Sequence, residues 1–334
     1  MPASAQVTVV RPPLTGLPHG WSARPSLVPV TSPAAPGTAP DDNTVDARHD
    51  DALARFLDVR PQLFGIAYRM LGSVADAEDV VQDAWIRWQN TDRRGVQNPA
   101  AFLTTTTTRL AINAATSARA RRESYVGQWL PEPVDTAADP LLGAERDEAL
   151  ELAVLLLLEK LNPTERAAYV LHEAFGYPYR RIAEILETSE ANARQLSRRA
   201  RQRLASERAA SVPADGKRRL LEAFVAAARG GRLEELEHLF ADDAVAYSDG
   251  GGKVYASRRD IVGRARVANF LDNVFRKYWS TSTFETVDVN GSAGVLVRDG
   301  ADEPIALLST HASDAGIEKL LVVLNPDKLE RFRH

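Results

Sequence analysis

The sequence predicts a multidomain chain with two all-α domains followed by one α+β domain. Apolar residues recur at helical spacing over residues 50–125 and again over residues 149–208. Short apolar runs separated by turn pairs such as Asn290-Gly291 take over after residue 280. At 334 residues, the chain has the length of two or three ordinary domains.

Composition excludes several classes of protein. The chain has no cysteine, which excludes disulfides, thiolate metal sites and a cysteine nucleophile. Its six histidines show no ligand spacing, so we expect neither metal nor cofactor. The apolar runs are too short for a membrane helix, and Arg11 is not followed by the apolar segment of a signal peptide. We therefore expect a cytoplasmic protein without a membrane partner.

The first 40 residues differ from the rest of the chain. They hold nine of the 19 prolines and no acidic residue, and they show no helical or strand periodicity. This composition predicts a disordered tail over residues 1–48. An over-long reading frame or a weak targeting arm would have the same composition.

The first helical domain is expected over residues 49–125. One helix face is predicted from Val81, Ala84, Trp85 and Trp88, and Asn98-Pro99 is typical of the start of the next helix. The threonine run at 104–108 disfavours a helix because β-branched residues lose side-chain freedom there. We expect burial of this run to override its propensity.

This domain carries an acidic segment followed by a basic one. The acidic side chains share an outward face with one glutamine, which favours a basic protein partner over a merely solvated face: Asp76, Glu78, Asp79, Gln82 and Asp83. The next helix ends in polar and basic groups suited to nucleic acid: Asn113, Ser117, Arg119, Arg121 and Arg122.

A proline-containing linker is expected over residues 126–148, and a second helical domain over 149–208. Residues 179–203 have the spacing of a helix-turn-helix, with Thr188-Ser189-Glu190 at the turn. Its second helix presents groups that pair with phosphates or base edges: Arg194, Gln195, Arg198 and Arg199. A solvated face of a helical bundle is the alternative interpretation.

After a short linker over 209–215, the third domain is expected over residues 216–330. Two helices are predicted first, the second carrying Leu233, Leu236, Leu239 and Phe240, and a third helix near 260–277. Consecutive antiparallel hairpins are predicted from runs at 283–289, 293–298, 304–311 and 317–324. This half is therefore α+β.

At this point the residues resemble a known family. Residues 50–208 are similar to an extracytoplasmic-function sigma factor of bacterial RNA polymerase, with 63–72 and 76–85 resembling its clamp-binding region. Residues 98–122 resemble the part that melts and reads the −10 element, and Asn113 matches the asparagine that contacts a flipped base. Ser117 stands where relatives often carry asparagine, and 161–204 resemble the −35-reading domain.

Three short motifs narrow the resemblance to a subgroup with a fused SnoaL-like domain. They are Trp129-Leu130-Pro131-Glu132-Pro133, Asp249-Gly250-Gly251-Gly252-Lys253 and Asn325-Pro326-Asp327-Lys328-Leu329. The resemblance covers about residues 50–330. It implies two all-α helical sigma domains, the second with a helix-turn-helix, and a cone-shaped α+β SnoaL/NTF2-like domain with a pocket. The implied partners are core RNA polymerase at its clamp and flap, promoter DNA, and a small molecule in the C-terminal pocket.

We expect the three motifs to meet, so that the third domain sets the spacing of the two DNA-reading domains. The interdomain residues would be Trp129, Pro131, Asp249, Gly250, Gly251, Lys253, Asn325, Pro326 and Asp327. Independent local turns are the alternative, because proline and glycine clusters usually mark turns.

Two other functional classes stay open from the sequence. One is a helix-turn-helix operator binder that works without polymerase, although it would need neither the acidic nor the −10-like segment. The other is a SnoaL-type enzyme with a DNA-binding appendage. Its site would draw on Tyr247, Asp249, Asp288 and His311, with Asp249 and His311 as acid and base.

Overall fold

The computed structural model describes residues 42–136, 150–205 and 212–333. The chain divides into two units, Met1–Val45 and the compact Asp46–His334, and all three predicted domains lie in the second unit. The predicted tail over 1–41 and parts of both predicted linkers, 137–149 and 206–211, lie outside the described residues. Helix α1 (Asp42–Leu71) begins before residue 48, where the predicted tail ends. Asp42 and Asn43 are residues favoured at helix starts.

The first helical domain continues with α2 (Val74–Asn90) and α3 (Pro99–Glu123). Each helix has a side-chain cap, because Ser73 accepts from the backbone of Asp76 and Asn98 from that of Ala101. The predicted stripe on α2 is buried at Val81, Ala84 and Trp88.

The threonine run on α3 is buried as expected. Thr104, Thr107 and Thr108 are inaccessible, and the hydroxyl of Thr108 donates to the carbonyl of Thr104 one turn earlier. Such bonds satisfy a buried hydroxyl inside a helix. Small polar side chains let α3 contact the second helical domain closely, where Thr104 lies 3.4 Å from the Tyr177 hydroxyl.

The second helical domain contains α4 (Leu152–Leu158), α5 (Pro163–Glu173), α6 (Tyr179–Ile185) and α7 (Glu190–Ala205). Helices α6 and α7 form the predicted helix-turn-helix. Ala193, Leu196 and Ala200 of α7 are buried, which leaves the arginine-bearing side of that helix outward.

The third domain is α+β, as predicted. Its helices are α8 (Ala214–Arg229), α9 (Leu233–His238), α10 (Arg264–Tyr278) and α11 (Pro326–Leu329). Its strands are β1 (Phe240–Asp249), β2 (Ile261–Val262), β3 (Thr283–Val289), β4 (Ser292–Arg298), β5 (Pro304–Ser313) and β6 (Gly316–Val323). They form one sheet in the order β2-β1-β6-β5-β4-β3, with antiparallel hairpins from β3 to β6.

Strand β1 was missed from the sequence. Phe240 was assigned to a helix because it continues the apolar spacing of Leu236 and Leu239, yet it begins the strand. Strand β1 runs parallel to β6, so its partner lies more than 70 residues away along the chain. A parallel pairing requires a long connection and leaves no turn signal in the sequence.

The sheet is buried on both faces. Residues such as Val295, Leu308 and Val322 face a core shared with helices α8 and α10, as members of one apolar cluster. Their neighbours Leu296, Leu307, Leu321 and Val323 belong to the cluster formed by the two helical domains and the linker. Strand residues alternate between faces, so this pattern places the sheet between its own helices and the rest of the chain.

One residue of the β3–β4 turn connects all three domains. Asn290 is buried and has a φ of 52°. Its Oδ1 accepts from the backbone of Val134 in the linker, and its Nδ2 donates to the Tyr68 hydroxyl and the Leu150 carbonyl. Without this side chain, the Val134 N–H and the Leu150 carbonyl would lose these bonds in a buried site, while the Tyr68 hydroxyl would keep its bond to the Glu132 carbonyl.

Replacing Asn290 by glycine removes these side-chain hydrogen bonds but keeps the backbone conformation. Glycine adopts a positive φ without strain, so N290G should lower the free energy of unfolding through the lost bonds alone, by about 1–3 kcal/mol in urea denaturation. Asp302→Gly is the matched control, because Asp302 also has a positive φ (65°) but is exposed. Equal changes in the two variants would contradict the assigned role.

Candidate nucleic-acid surfaces and interdomain contact

The predicted −35 surface lies on the outward side of α7. Arg194, Gln195, Arg198 and Arg199 are all exposed. Arg194 donates to Glu190 at 3.1 Å and stands over the Tyr179 ring, and Arg199 lies 3.7 Å from Glu165. The Arg194 pair lies at the surface, where it can exchange for phosphate contacts, whereas Glu165 is buried and also pairs with Arg203. The face can therefore present several arginines to DNA.

The residues predicted to bind the −10 element differ in exposure: four are exposed and one is partly buried. Asn113, Ser117 and Arg119 are exposed along α3. Arg121 is also exposed but pairs with Asp76 at 3.0 Å.

Arg122 is the partly buried residue of this group. It makes an interdomain contact in place of the predicted DNA contact. Its guanidinium pairs with Glu159 of the second helical domain, donates to the Leu71 carbonyl and lies 3.5 Å from the Trp129 ring centroid. Burial is the main cause that lowers the pKa of Arg122 to about 9.

The predicted polymerase-binding side chains are divided in a similar way. Asp79, Gln82 and Asp83 are exposed on α2. Glu78 pairs with Arg60 at 2.7 Å, and Asp76 with Arg121. Asp79 and Asp83, together with Gln82, therefore form the accessible part of the acidic face.

The two helical domains contact each other through the DNA-reading elements. Arg109 of α3 donates to the Ile185 carbonyl at 2.9 Å and pairs with Glu187 at 2.8 Å, both at the helix-turn-helix. In return, Arg181 of α6 donates to the Ala101 carbonyl. Segments expected to read two separate promoter elements thus lie in direct contact.

The three short motifs meet around the carboxylate of Asp249, which is 0% exposed. This carboxylate accepts from the Leu130 backbone at 2.9 Å and from the Tyr125 hydroxyl at 2.7 Å. It also accepts from Lys328 Nζ at 2.6 Å and from the Gly251 backbone at 3.0 Å. We call Tyr125, Leu130, Asp249 and Lys328 the linker clamp.

Trp129 packs between charged groups beside the clamp. Its ring lies under Arg122 on one side, and Lys328 Nζ is 4.5 Å from its centroid. Gly72 faces the ring so closely that a Cβ there would come within 2.8 Å of it, and Gly72 has a φ of 63° that itself favours glycine. The linker continues over this turn, because Glu132 donates its backbone N–H to the Gly72 carbonyl.

The remaining predicted interdomain residues surround the clamp. Gly251 abuts Asn325, whose Nδ2 donates to the Tyr125 hydroxyl. Lys253 pairs with Asp327 at 2.7 Å, but this pair is exposed. Pro131 packs near Gly72, Gly250 faces the Val254 backbone, and Pro326 begins α11.

Burial shapes the electrostatics of the clamp. Burial lowers the pKa of Lys328, and the neighbouring Asp249 partly opposes this change. Burial and the hydrogen bond to Asp249 raise the pKa of Tyr125, which keeps its hydroxyl protonated as a donor at neutral pH. Asp249 is therefore what makes a buried ammonium tolerable at this position.

A second buried contact joins the second and third domains. Glu151, just before α4, lies 2.5 Å from Lys217 Nζ and 3.6 Å from His311 Nδ1. Burial acts to raise the pKa of Glu151, but the nearby His311 ring and the Lys217 ammonium outweigh it, so the pKa is lowered.

The candidate acid–base groups have separate partners. His311 lies within β5 rather than at its end and faces Glu151, whereas Asp249 is occupied by the clamp. Asp288 pairs with Arg218 at an exposed site. Tyr247 lies on β1, two residues before Asp249.

Several contact residues were missed from the sequence. Lys328 lies inside the Asn325–Leu329 motif, and a lysine between apolar and turn residues was a usable signal. Tyr125, Glu151, Lys217 and Asn290 gave no such signal, because only the fold brings them to their partners.

Comparisons with known proteins assign the family. Residues 56–121 match sigma-70 region 2, and residues 151–204 match sigma-70 region 4. The chain is 38% identical to the ECF RNA polymerase sigma factor SigJ of Mycobacterium tuberculosis over 289 residues, which is 83% of this chain and 92% of that protein. The chain belongs to the extracytoplasmic-function sigma factors. This sigma factor therefore recognises promoters for RNA polymerase and acts in transcription initiation.

Further relatives agree with this assignment. The probable ECF RNA polymerase sigma factor SigI of M. tuberculosis is 30% identical over 295 residues, covering 86% of this sigma factor and 98% of the relative. The crystal structure of M. tuberculosis SigJ superposes with a TM-score of 0.69 at 33% identity, covering 84% of this chain and 98% of that one. The predicted fold class, two sigma domains and an α+β SnoaL-like domain, is confirmed.

The described part of this sigma factor contains neither a helix that could span a membrane nor a cluster of metal-ligating side chains. None of its helices there is both long and apolar enough to cross a membrane. No group of three or more acidic or histidine side chains in the same residues could hold a metal ion.

Replacing Asp249 by asparagine should destabilise the sigma factor strongly. The variant leaves the Lys328 ammonium buried without its carboxylate, which typically costs about 3–5 kcal/mol. The matched control is Asp327→Asn, which breaks the exposed pair with Lys253 and should cost less than about 1 kcal/mol. Urea denaturation of both variants tests the difference, and equal losses would show that the clamp is not a buried ion pair in solution.

Proposed function

We propose that the third domain holds this sigma factor in a closed arrangement, and that release of the linker clamp is the regulated step before promoter recognition. The observation that carries the proposal is the buried Asp249 carboxylate, which binds the linker at Tyr125 and Leu130 and α11 at Lys328. Through the linker, the third domain controls how far the two DNA-reading domains can separate.

The distance between the two promoter elements supports a separation of the two DNA-reading domains. Elements centred at −10 and −35 are about 25 base pairs apart, which is about 85 Å along the duplex. In the closed arrangement, Arg109 of the −10 helix contacts Ile185 of the helix-turn-helix. Both elements cannot be read while these segments touch.

We further propose the residue roles and domain limits expected from the sequence. Asp79, Gln82 and Asp83 would bind the polymerase clamp, and Asp76 and Glu78 would join them by exchanging their pairs with Arg121 and Arg60 of the same domain. Asn113, Ser117, Arg119 and Arg121 would contact the −10 element, and Arg194, Gln195, Arg198 and Arg199 the −35 element. The limits are 49–125 and 149–208 for the sigma domains and 216–330 for the third domain.

In this proposal the third domain is regulatory and not catalytic. The engagement of Asp249 in the clamp and of His311 with Glu151 supports this role. Its place of action would be the cytoplasm, where core polymerase and promoter DNA are found.

An apolar cavity in the third domain supports a small-molecule regulator. The cavity has a volume of about 210 Å³ and lies between α10 and the sheet. Phe270, Val274, Trp279 and Leu324 line its interior, with Tyr255 and Tyr278 at its mouth. An apolar cavity of about 150 Å³ accommodates benzene, so this one suits a neutral ligand of one or two rings.

The cavity wall is continuous with the clamp. Residues 254–257 line the cavity, and the Val254 carbonyl lies so close to Gly250 that it leaves no room for a Cβ there. Gly250 follows Asp249 directly. A ligand that shifts this loop would therefore change the free energy of the clamp, to the extent that it prefers one arrangement.

Run-off transcription tests the proposed release. With core polymerase and limiting sigma factor, Asp249→Asn should raise promoter-specific transcription several-fold, because opening costs less free energy. Tyr125→Phe removes one clamp bond at smaller cost and should give an intermediate increase. Asp327→Asn should leave transcription unchanged. Unchanged transcription in both clamp variants, with all proteins shown to be folded, would contradict the proposal.

Tryptophan fluorescence tests the cavity. The probe 4-bromophenol is a neutral ring with a heavy atom, and it should quench Trp279 saturably. Trp279→Phe should remove the saturable part, and Val274→Phe should block it by filling the cavity. Bromide ion is the control for collisional quenching. Quenching by 4-bromophenol that stays linear with concentration would exclude this ligand class.

A further inference from the structure

A second cleft of the third domain lies beside the apolar cavity and shares the segment 254–257 with it. It is a cleft of about 540 Å³ between the start of the linker and the glycine-rich loop. Val126 and Gly127 form one wall, and the loop segment 254–259 forms the other. We call this segment the arginine loop, because it ends in Arg258 and Arg259.

The two arginines form an exposed cationic pair at the cleft. Among the residues that the structure describes, neither has an acidic side chain within ion-pair distance. Of the nearby carboxylates, Asp249 is buried in the clamp and Asp327 pairs with Lys253. The adjacent Asp260 accepts from the neutral Gln128 amide and keeps its charge, so the two arginines exceed it by one positive charge. The cleft therefore presents positive charge toward solvent.

The arginine loop is held in a defined shape. The Ser257 backbone donates to Ser248 Oγ at 2.8 Å, and Ser257 Oγ donates to the Arg259 carbonyl at 2.7 Å. Gln128 fixes the loop to the linker, since it also accepts from the Ser248 backbone. Little ordering is then required when an anion binds.

The loop also exposes an aromatic hydroxyl. Tyr255 is 86% exposed and lines the same cleft. Arginine and tyrosine side chains are common donors to phosphate oxygens, and arginine can bind a phosphate through two parallel hydrogen bonds.

We propose that the arginine loop is a third DNA-binding surface, which binds phosphates of the promoter next to the segment that α3 reads. Charge complementarity supports DNA as the partner, as does continuity with the −10 helix. Val126 follows the end of α3 by only three residues, so it lies within about 11 Å of Glu123. The exposed Arg119 is one turn before that end.

The contact would add affinity without sequence choice, because phosphates are the same at every position. It rests on the proposed function in one respect: both elements are read only after the clamp opens, so Gln128 must keep the loop at the linker start. Its hydrogen bonds to Asp260 and Ser248 are not part of the clamp. A DNA duplex that reaches Arg119 could then meet the third domain without a large movement.

The salt dependence of holoenzyme binding to a promoter fragment tests this surface. Each neutralised phosphate contributes about 0.9 to the slope of log affinity against log salt. The double variant Arg258→Ala/Arg259→Ala should therefore flatten the slope by about 1.8, and the advantage of the wild type should shrink roughly tenfold between 50 and 200 mM salt. Arg258→Lys/Arg259→Lys keeps the charge and should retain most of the slope.

Arg266→Ala is the matched control, because Arg266 is an exposed arginine of the same domain that does not line the cleft. Its slope should equal that of the wild type. A wild-type slope in the double alanine variant, with its melting temperature unchanged, would overturn the proposed surface. An equal reduction for Arg266→Ala would also overturn it, since the effect would then reflect net charge.

The same measurement in the Asp249→Asn background separates the two proposals. Because the promoter-bound form is the open one, the effect of the arginines should persist there. Should the arginine effect be absent even with an intact clamp, while Asp249→Asn still raises transcription, the DNA surface fails and the clamp stands. An arginine effect that disappears in Asp249→Asn would overturn the surface in the promoter-bound form.

Discussion

The sheet of the third domain has two apolar faces, and its longer helices α8 and α10 cover only one of them. Leu296, Leu307 and Leu321 project from the second face into the cluster that the linker and the helical domains complete. Exposing each of these side chains would cost about 1.5–3 kcal/mol. A SnoaL-like domain with such a sheet requires a partner surface, and here the sigma domains of the same chain provide it. The closed arrangement follows from this requirement.

Apolar burial alone would not fix where the linker runs. That specificity comes from buried polar groups, each with a defined set of partners. Asp249 selects the Leu130 backbone and Lys328, and Asn290 selects Val134 and Tyr68. A buried charge without its partner is costly, so few alternative linker paths satisfy both sites. The polar contacts specify the arrangement that the apolar face stabilises.

Local patterns in the sequence were sufficient for most elements but not for their pairing. The four hairpin strands were predicted because turn pairs such as Asn290-Gly291 separate them. Strand β1 was missed because Phe240 extends a helical spacing and its parallel partner is remote. The motifs around Trp129, Asp249 and Asn325 were found as motifs. Their meeting point depends on Tyr125, whose role no local pattern reveals.

Charge patterns have a similar limit at the candidate surfaces. Arg121 and Arg122 are adjacent and both basic, so the sequence treats them alike. Helical rotation turns Arg121 toward solvent, while Arg122 lies between Glu159 and Trp129. Position on a helix face decides this, and the apolar periodicity near the end of α3 is too weak to define the face. Deciding which cations reach DNA therefore requires the tertiary structure.

The contacts that close the molecule fall into two energetic classes, and this division bears on how it opens. Exposed interdomain pairs such as Arg109 with Glu187 contribute at most about 1 kcal/mol each, and DNA or polymerase can replace them one at a time. The buried groups at Asp249 and at Glu159 cannot be exposed singly, since each serves several partners across domains. Partial release of either group would leave a buried charge without its partner. Opening is therefore expected to be cooperative, with the surface pairs exchanged first and the buried contacts released together.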